Sequence, residues 1–277
     1  MKAPDIIAII EKFAPLGIAA AWDASGVQVA SFQRDIRSVA VMLDPTLESV
    51  RQAADDGADF ILAHHPLSMK PRFPNAPDDY LALLSVLLAK NIWLYSAHTS
   101  LDANPRGPVL WLARALELTG QRVLESVPCP PDIPKSPADP ASSEAFGFGF
   151  CGDLQAALPY VEFCARLAAC LGKGEWQCCG PVPDTVSRVA YCPGAGGSLL
   201  SEVLASGADV FITGDIRYHT ALDALAGGIR ILDVGHFILE EEMMRRFAQT
   251  LATELTVPVR FWPGKDPLAG ERIPFTA

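Results

Sequence analysis

The sequence is short of basic residues and long apolar runs, and it lacks several catalytic motifs. Lysine and arginine total 22 against 32 aspartates and glutamates, and the net charge of −10 argues against non-specific binding of nucleic acid. No uncharged apolar stretch of about 18 residues occurs, so we expect no membrane-spanning helix. Neither a Gly-x-Ser-x-Gly elbow nor a Walker loop is present, which disfavours a serine hydrolase and a P-loop nucleotidase.

Cysteine occurs seven times but never as Cys-x-x-Cys. The N-terminal stretch carries Asp5 and Glu11, which suit a secretory signal poorly, and we predict an amphipathic helix there. Free thiols in a reducing cytoplasm are therefore expected. The adjacent pair Cys178 and Cys179 could instead bind a metal or be redox-active.

Apolar strand-like runs alternate with helix-like stretches along the chain. Residues 38–44, 58–66 and 92–102 contain strand-like runs, and helical spacing occupies 45–57 and 77–91 between them. The same alternation returns in the second half. This order favours mostly parallel sheets covered by helices, so we predict the α/β class.

A proline-rich segment divides the chain. Six prolines between residues 126 and 143 exclude a regular element there. We predict a first α/β unit at 1–125, a linker or loop at 126–143 and a second unit at 144–277. The tripeptide Gly-Ala-Asp recurs at 57–59 and 207–209 within the same order of strands and helices, which indicates internal duplication, although so short a tripeptide could also repeat by chance.

Four of the five histidines fall at the C-terminal ends of predicted strands. They are His64, His65, His98 and His236. Ligand crevices in parallel α/β sheets lie outside these strand ends, so we expect the four imidazoles to converge. His219 follows another such end, and its part in a site is left open. For any single histidine, a structural role is the plainer alternative.

Two acids each follow one of these histidines by four residues, namely Asp102 and Glu240. Imidazole and carboxylate together suit Zn²⁺, Fe²⁺, Mn²⁺ or Ni²⁺ without distinguishing among them. A carboxylate can bridge two ions. Pro66 favours a break in the chain after His65, which would let His64 and His65 each serve one ion.

Six segments, in this order, resemble the Nif-three-like dinuclear-metal family, whose members are often labelled GTP cyclohydrolase type 2 homologues. The segments are WDASGVQV (22–29), ILAHHPL (61–67), AHTSLDA (97–103), GAGGSLL (194–200), ADVFITGDIRYH (208–219) and DVGHFILEEE (233–242). The resemblance implies two interlocked α/β units with the site between them. It also implies a toroidal homohexamer.

The same resemblance implies two divalent metal ions per chain and a set of ligands for them. The implied ligands are His64, His65, Asp102, His236 and Glu240. His98 would stand beside them and act in proton transfer. These residues agree with the histidines and acids that the strand ends single out.

Two functions remain open at this point. A metal-dependent hydrolase would act on a nucleotide-like, pterin-like or phosphoester substrate, and GTP ring opening rests on the family label alone. The alternative is a metal-binding interaction or metal-handling protein without turnover.

The sequence also leaves the role of two segments open. The glycine run 194–198 could cradle an anion or form a plain turn, and Asp23 could lie in an ordinary or a functional loop.

Overall fold

The computed structural model describes residues 1–128 and 145–268. Within them the predicted α/β class is confirmed, since two sheets are flanked by helices. Residues 129–143 of the predicted linker lie outside the described residues, as does Cys129. The boundaries proposed for the two units stay a prediction.

The elements are short, apart from one long strand and one long helix. The helices are α1 (Ala3–Phe13), α2 (Leu47–Asp55), α3 (Asp79–Ala89), α4 (Thr99–Asp102), α5 (Trp111–Ala115), α6 (Tyr160–Leu171), α7 (Leu200–Ser206), α8 (Tyr218–Gly227) and α9 (His236–Glu254). The strands are β1 (Gly26–Val29), β2 (Val39–Met42), β3 (Phe60–Ala63), β4 (Trp93–Ser96), β5 (Thr119–Ser126), β6 (Gly147–Pro159), β7 (Gln177–Cys179), β8 (Thr185–Tyr191), β9 (Val210–Thr213), β10 (Arg230–Asp233) and β11 (Val259–Phe261).

The first sheet has the order β1-β4-β3-β2-β11. Its strands are parallel except for β1, which runs antiparallel along the edge. Every residue of β2 and β3 is buried, as expected for parallel strands covered on both faces. Strand β11 comes from the C-terminal part of the chain, so the last segment returns to the first sheet and interlocks the two halves.

The second sheet has the order β5-β6-β8-β9-β10-β7. Strands β8, β9 and β10 are parallel, whereas β5, β6 and β7 pair antiparallel. The parallel strands at the centre agree with the sequence pattern, which did not indicate the antiparallel strands that flank them. Each sheet therefore presents the C-terminal ends of parallel strands.

The start of α9 corrects one expectation. His236 is its first residue, whereas the sequence pattern predicted His236 at the end of a strand. Strand β10 ends at Asp233, and Gly235 turns the chain into the helix with a φ of 102°, a conformation that favours glycine. His236 and Glu240 consequently lie one helical turn apart on one face.

A shared hydrophobic core fixes α9 between the sheets. One buried cluster joins Val41 of β2, Val189 of β8 and Phe247 of α9. The buried Trp111 donates a hydrogen bond of 3.0 Å from its Nε1 to the Leu239 carbonyl. The helix that carries two candidate site residues is therefore held by packing and by this bond.

None of the helices within residues 1–128 and 145–268 has the length and apolar character needed to cross a membrane.

Candidate metal centre

Three histidines meet beyond the ends of β3 and β4. The rings of His64 and His65 lie 5.1 Å apart between centroids, and the ring of His98 lies 5.2 and 5.6 Å from them. Strand β3 ends at Ala63, so His64 and His65 lie beyond it and need not point to opposite faces as adjacent residues of a regular strand do. The structure thus brings both members of the pair to one place.

Helix α9 brings His236 and Glu240 to the same place. The His236 ring lies 5.5 Å from that of His65. Glu240 Oε2 lies 2.8 Å from His236 Nε2 and 3.1 Å from His65 Nε2. On the other side, His64 Nε2 lies 3.7 Å from both Glu240 Oε1 and Asp102 Oδ1. The Glu240 carboxylate therefore presents one oxygen to each side of the cluster.

Each of these four imidazoles is held through its Nδ1 atom. The acceptors are Ala97 O for His64, Asp44 Oδ1 for His65 and Asp23 Oδ1 for His98, each at 2.7 Å, and Asp215 Oδ2 for His236 at 2.8 Å. Metal-binding histidines commonly donate their second ring nitrogen to a carboxylate or a carbonyl in this manner. The bond fixes the tautomer and leaves Nε2 for another partner.

Asp44 and Asp215 are site residues that the sequence interpretation missed. Asp44 follows β2 and Asp215 follows β9, so both lie just beyond a strand end, as the first three histidines do. A search of all strand ends for acids would have found them. The question left open for Asp23 is answered by its contact with His98.

Asp23 is fixed by several donors besides His98. Its carboxylate accepts hydrogen bonds of 2.5 Å from the hydroxyls of Ser25 and Thr99 and one of 3.1 Å from the Thr99 backbone N–H. Burial would raise the pKa of Asp23, but the hydrogen bonds from His98, Ser25 and Thr99 outweigh it and hold the pKa well below its usual range. Asp23 is therefore an ionised, immobile partner for His98.

Buried polar atoms without a hydrogen-bond partner concentrate in this cluster. Among the described residues there are five such side-chain atoms, and four belong here: His64 Nε2, Asp102 Oδ1, His236 Nε2 and Glu240 Oε2. The last two lie 2.8 Å apart as an ion pair but are not aligned for a hydrogen bond. Each unpartnered buried group costs about 1–3 kcal/mol. Four of them facing one another indicate a missing partner, and imidazole and carboxylate donors fit a divalent cation.

In the metal-free cluster, neighbouring carboxylates favour the protonated forms of His65 and His236. Burial lowers the pKa of His65, but Asp44 and Glu240 outweigh it and raise the pKa to about 10. Burial also opposes the effect of Glu240 and Asp215 on His236, whose pKa rises to about 9. Burial raises the pKa of Asp102 to about 7, against the opposing charge of His64. Imidazolium charges therefore stand where a cation would bind.

Two overlapping groups of side chains have the spacing to hold a metal ion. One comprises His64, His65 and His98, and the other comprises His65, His236 and Glu240, with the ligand atoms of each group within 4.8 Å of one another. Asp102 lies beside His64 but belongs to neither group. His98, which the resemblance places in proton transfer, belongs to the first.

The remaining sequence candidates take other places. His219 lies outside both groups, and its ring contacts that of Tyr218 at 5.5 Å. Within the glycine run, Gly194 faces the cluster, since a Cβ there would lie 2.4 Å from Glu240 Oε1. The Gly196 N–H donates to Thr213 Oγ1 at 2.9 Å. At least part of this run therefore serves to pack the site.

The described cysteines are free thiols, as expected, and none belongs to either metal-binding group. They are Cys151, Cys164, Cys170, Cys178, Cys179 and Cys192. The adjacent pair of cysteines lies on β7 at the edge of the second sheet.

Comparison with known proteins gives consistent matches over nearly the whole chain. The family described as Duf34/NIF3 (NGG1p interacting factor 3) matches residues 1–267. A protein of Clostridium perfringens named GTP cyclohydrolase 1 type 2 homolog is 31% identical over 267 residues, which cover 96% of this chain and 97% of that protein.

Solved structures agree in fold. HcgD from Methanocaldococcus jannaschii is 27% identical with a TM-score of 0.78, covering 94% of this chain and 97% of that one. A Bacillus cereus protein related to NIF3 is 22% identical with a TM-score of 0.79, covering 100% and 99%. These likenesses extend to both sheets of the present chain.

Proposed function

The chain belongs to the Duf34/NIF3 family, and on that premise we propose that it is a dinuclear metal-dependent hydrolase of the cytoplasm. Its substrate would be nucleotide-like, pterin-like or a phosphoester. The name GTP cyclohydrolase 1 type 2 homolog, carried by relatives, supports hydrolysis but does not define a substrate for this chain.

The observation that carries the proposal is the placement of the Glu240 carboxylate. Its Oε1 faces His64, at 3.7 Å, and its Oε2 faces His65 and His236, at 3.1 and 2.8 Å. A carboxylate so placed suits a bridge between two ions held about 3.5–4 Å apart. In this arrangement His64 and Asp102 would hold one ion, and His65 and His236 the other.

Divalent ions bound there would supply an activated water and polarise the substrate. The chain itself contributes the geometry, since the Nδ1 atom of each of the four clustered imidazoles is fixed by an oxygen acceptor. His98 would hold or move a proton at its Nε2 atom, while Asp23 keeps its Nδ1 protonated and the ring oriented. We assign His98 to proton transfer because the family resemblance places it there, although His98 also belongs to one of the two groups with metal-binding spacing.

The first test is metal content, measured by elemental analysis of protein purified without added metal. We expect about two ions per chain in the wild type. His65→Ala and Glu240→Ala should each lose metal while keeping their helical circular dichroism. His219→Ala is the matched control, because His219 lies outside both metal-binding groups. Full metal retention in both site variants would contradict the ligand assignment.

The second test separates the hydrolase from a metal-handling protein without turnover. Candidate nucleotides, pterins and phosphoesters are screened with protein as purified, after chelation, and after return of each ion. The hydrolase loses turnover on chelation and regains it with one preferred ion. Bound metal without turnover on any of these substrates would favour the non-catalytic function.

A further inference from the structure

A cavity lies apart from the candidate metal centre, beside α5 and α9. Its volume is about 250 Å³, and three arginines line it, namely Arg106, Arg114 and Arg246. None of the candidate metal ligands lines it. We call it the arginine cavity. Three guanidinium groups in one concave surface stand out on a chain with a net charge of −10.

The hydrogen-bonding capacity of two of these arginines is largely unused within the part of the chain described. Arg114 donates one hydrogen bond of 3.3 Å to the Gly107 carbonyl, and no carboxylate there pairs with it. Arg246 donates from Nε to Glu242 at 2.8 Å, and its two terminal nitrogens have no hydrogen-bond partner among the same residues. Both side chains therefore retain donors for an anion.

The cavity is built on rigid parts of the fold. The Arg246 guanidinium lies 5.3 Å from the ring centre of the buried Trp111, and the Arg106 guanidinium lies 5.3 Å from that of Phe146. Phe13, which also lines the cavity, packs edge-on against Phe247 at 5.7 Å. Stacking on aromatic rings orders the forks of Arg106 and Arg246 before any ligand arrives, so less entropy is lost when these two bind, whereas the exposed Arg114 has no such stacking.

We propose that the arginine cavity binds the phosphate group of a small phosphorylated molecule, with Arg114 and Arg246 as its principal ligands. Planar guanidinium forks match phosphate oxygens bidentately, and the unused donors of Arg114 and Arg246 suit a phosphate dianion. The volume is below the roughly 300–1,000 Å³ of ordinary ligand pockets. It suits the phosphate group and a small adjoining part of the ligand, against the ring of Phe13.

This site is independent of the proposed hydrolase. Glu240 and Arg246 share α9 but lie six residues apart, about 9 Å along the helix axis and on different faces. The phosphate of a ligand in the arginine cavity would not be the group presented to the metal centre. Failure of one proposal therefore leaves the other standing.

The test is calorimetric titration of the protein as purified, with phenylphosphonate, which resists phosphoester hydrolysis, and with inorganic phosphate. Because the proposed metal centre could also bind phosphate, sites are counted in His65→Ala, where we expect one saturable site per chain, with inorganic phosphate competing for it. Arg114→Gln and Arg246→Gln should each weaken binding about tenfold or more, because a hydrogen bond to a charged group contributes about 1.5–3 kcal/mol. Tighter binding of phenylphosphonate than of phosphate would indicate an organic phosphate as the natural ligand.

Arg245→Gln is the matched control. Arg245 neighbours Arg246, also pairs with Glu242, and lies over Phe261 rather than in the cavity. Binding in this variant, and in His65→Ala, should stay within about twofold of wild type. Arg114→Gln keeps the test decisive if Arg246→Gln fails to fold.

Three results would overturn the proposal. One is the absence of saturable binding up to about 10 mM ligand. Another is a loss of anion binding in Arg245→Gln equal to that in Arg114→Gln and Arg246→Gln, which would show only non-specific attraction to positive charge. The third is loss of anion binding in His65→Ala while Arg114→Gln still binds the anion, which would place the anion at the metal centre.

Discussion

At the scale of the residue, the position of Glu240 depends on a glycine, whose lack of a side chain leaves room for the carboxylate. Gly194 has a φ of 66°, and a Cβ on it would lie 2.4 Å from Glu240 Oε1. Gly214 has a similar role, since a Cβ there would lie 2.3 Å from the His236 backbone nitrogen. These two glycines allow the second sheet to approach the ligands that α9 carries.

Gly194→Ala should therefore weaken metal binding, by about tenfold or more, because the methyl group displaces the carboxylate. The control is Gly172→Ala. Gly172 has nearly the same φ, 63°, but a Cβ there meets nothing within 4 Å. Both variants carry the strain of a positive φ, so only the contact with Glu240 differs. Metal titration compares them, and equal affinities would refute this reason for Gly194.

The raised pKa values of two candidate ligands predict how metal affinity depends on pH. His65 and His236, with pKa values of about 10 and about 9, carry protons near neutral pH in the metal-free protein. A metal must displace these protons, so its affinity should rise with pH and protons should be released. Zn²⁺ titrations against a competing chelator at pH 6, 7 and 8 measure this.

We expect the affinity for Zn²⁺ to keep rising across that range, because both pKa values lie above it. Ordinary histidines, with a pKa near 6.5, would give a plateau above about pH 7. A plateau there would mean that Asp44, Asp215 and Glu240 do not hold the imidazoles in the charged form.

At the scale of the element, α9 connects the hydrophobic core to the metal centre. Its first residue is His236, and farther along it buries Met243, Phe247 and Leu251 completely. Burial of one face sets the rotation of the helix, and this rotation aims His236 and Glu240 at the histidines of the first sheet. Packing many residues away thus positions the ligands.

Phe247→Ala should destabilise the protein by about 3–5 kcal/mol, since it removes a fully buried ring from the core. Phe73→Ala, at a side chain that is 83% exposed, is the control and should change stability little. Chemical denaturation of both metal-free variants measures the free energy of unfolding. Equal effects would contradict the assignment of Phe247 to the core.

Elements differ in how far the sequence predicts them. β2 and β3 are short, fully buried and rich in β-branched or apolar residues, so their sequences alone indicate strands. β5 was not predicted, because its residues are mostly exposed and show no alternation. Its pairing with β6, from beyond the proline-rich segment, creates it. Such long-range pairing leaves no local pattern to detect.

At the scale of the whole molecule, we expect the toroidal homohexamer that the family resemblance implies. Light scattering during size-exclusion chromatography should give six times the chain mass of 29.7 kDa. Dilution to nanomolar chain concentration provides the control for weak association. A monomeric mass at micromolar concentration would contradict the prediction of a hexamer.

Local sequence patterns predict the α/β class, the histidines that follow β3 and β4, and an acid four residues after each of His98 and His236. These are local properties, since periodicity of 2 or 3.6 and a break at Pro66 are fixed by neighbours along the chain. The contacts of Asp23, Asp44 and Asp215 with the imidazoles, and the place of Glu240 among three histidines, arise from the packing of distant segments. Apart from the i,i+4 pair of His236 and Glu240, those contacts join residues from 21 to 176 positions apart, and they follow from how two sheets pack around α9.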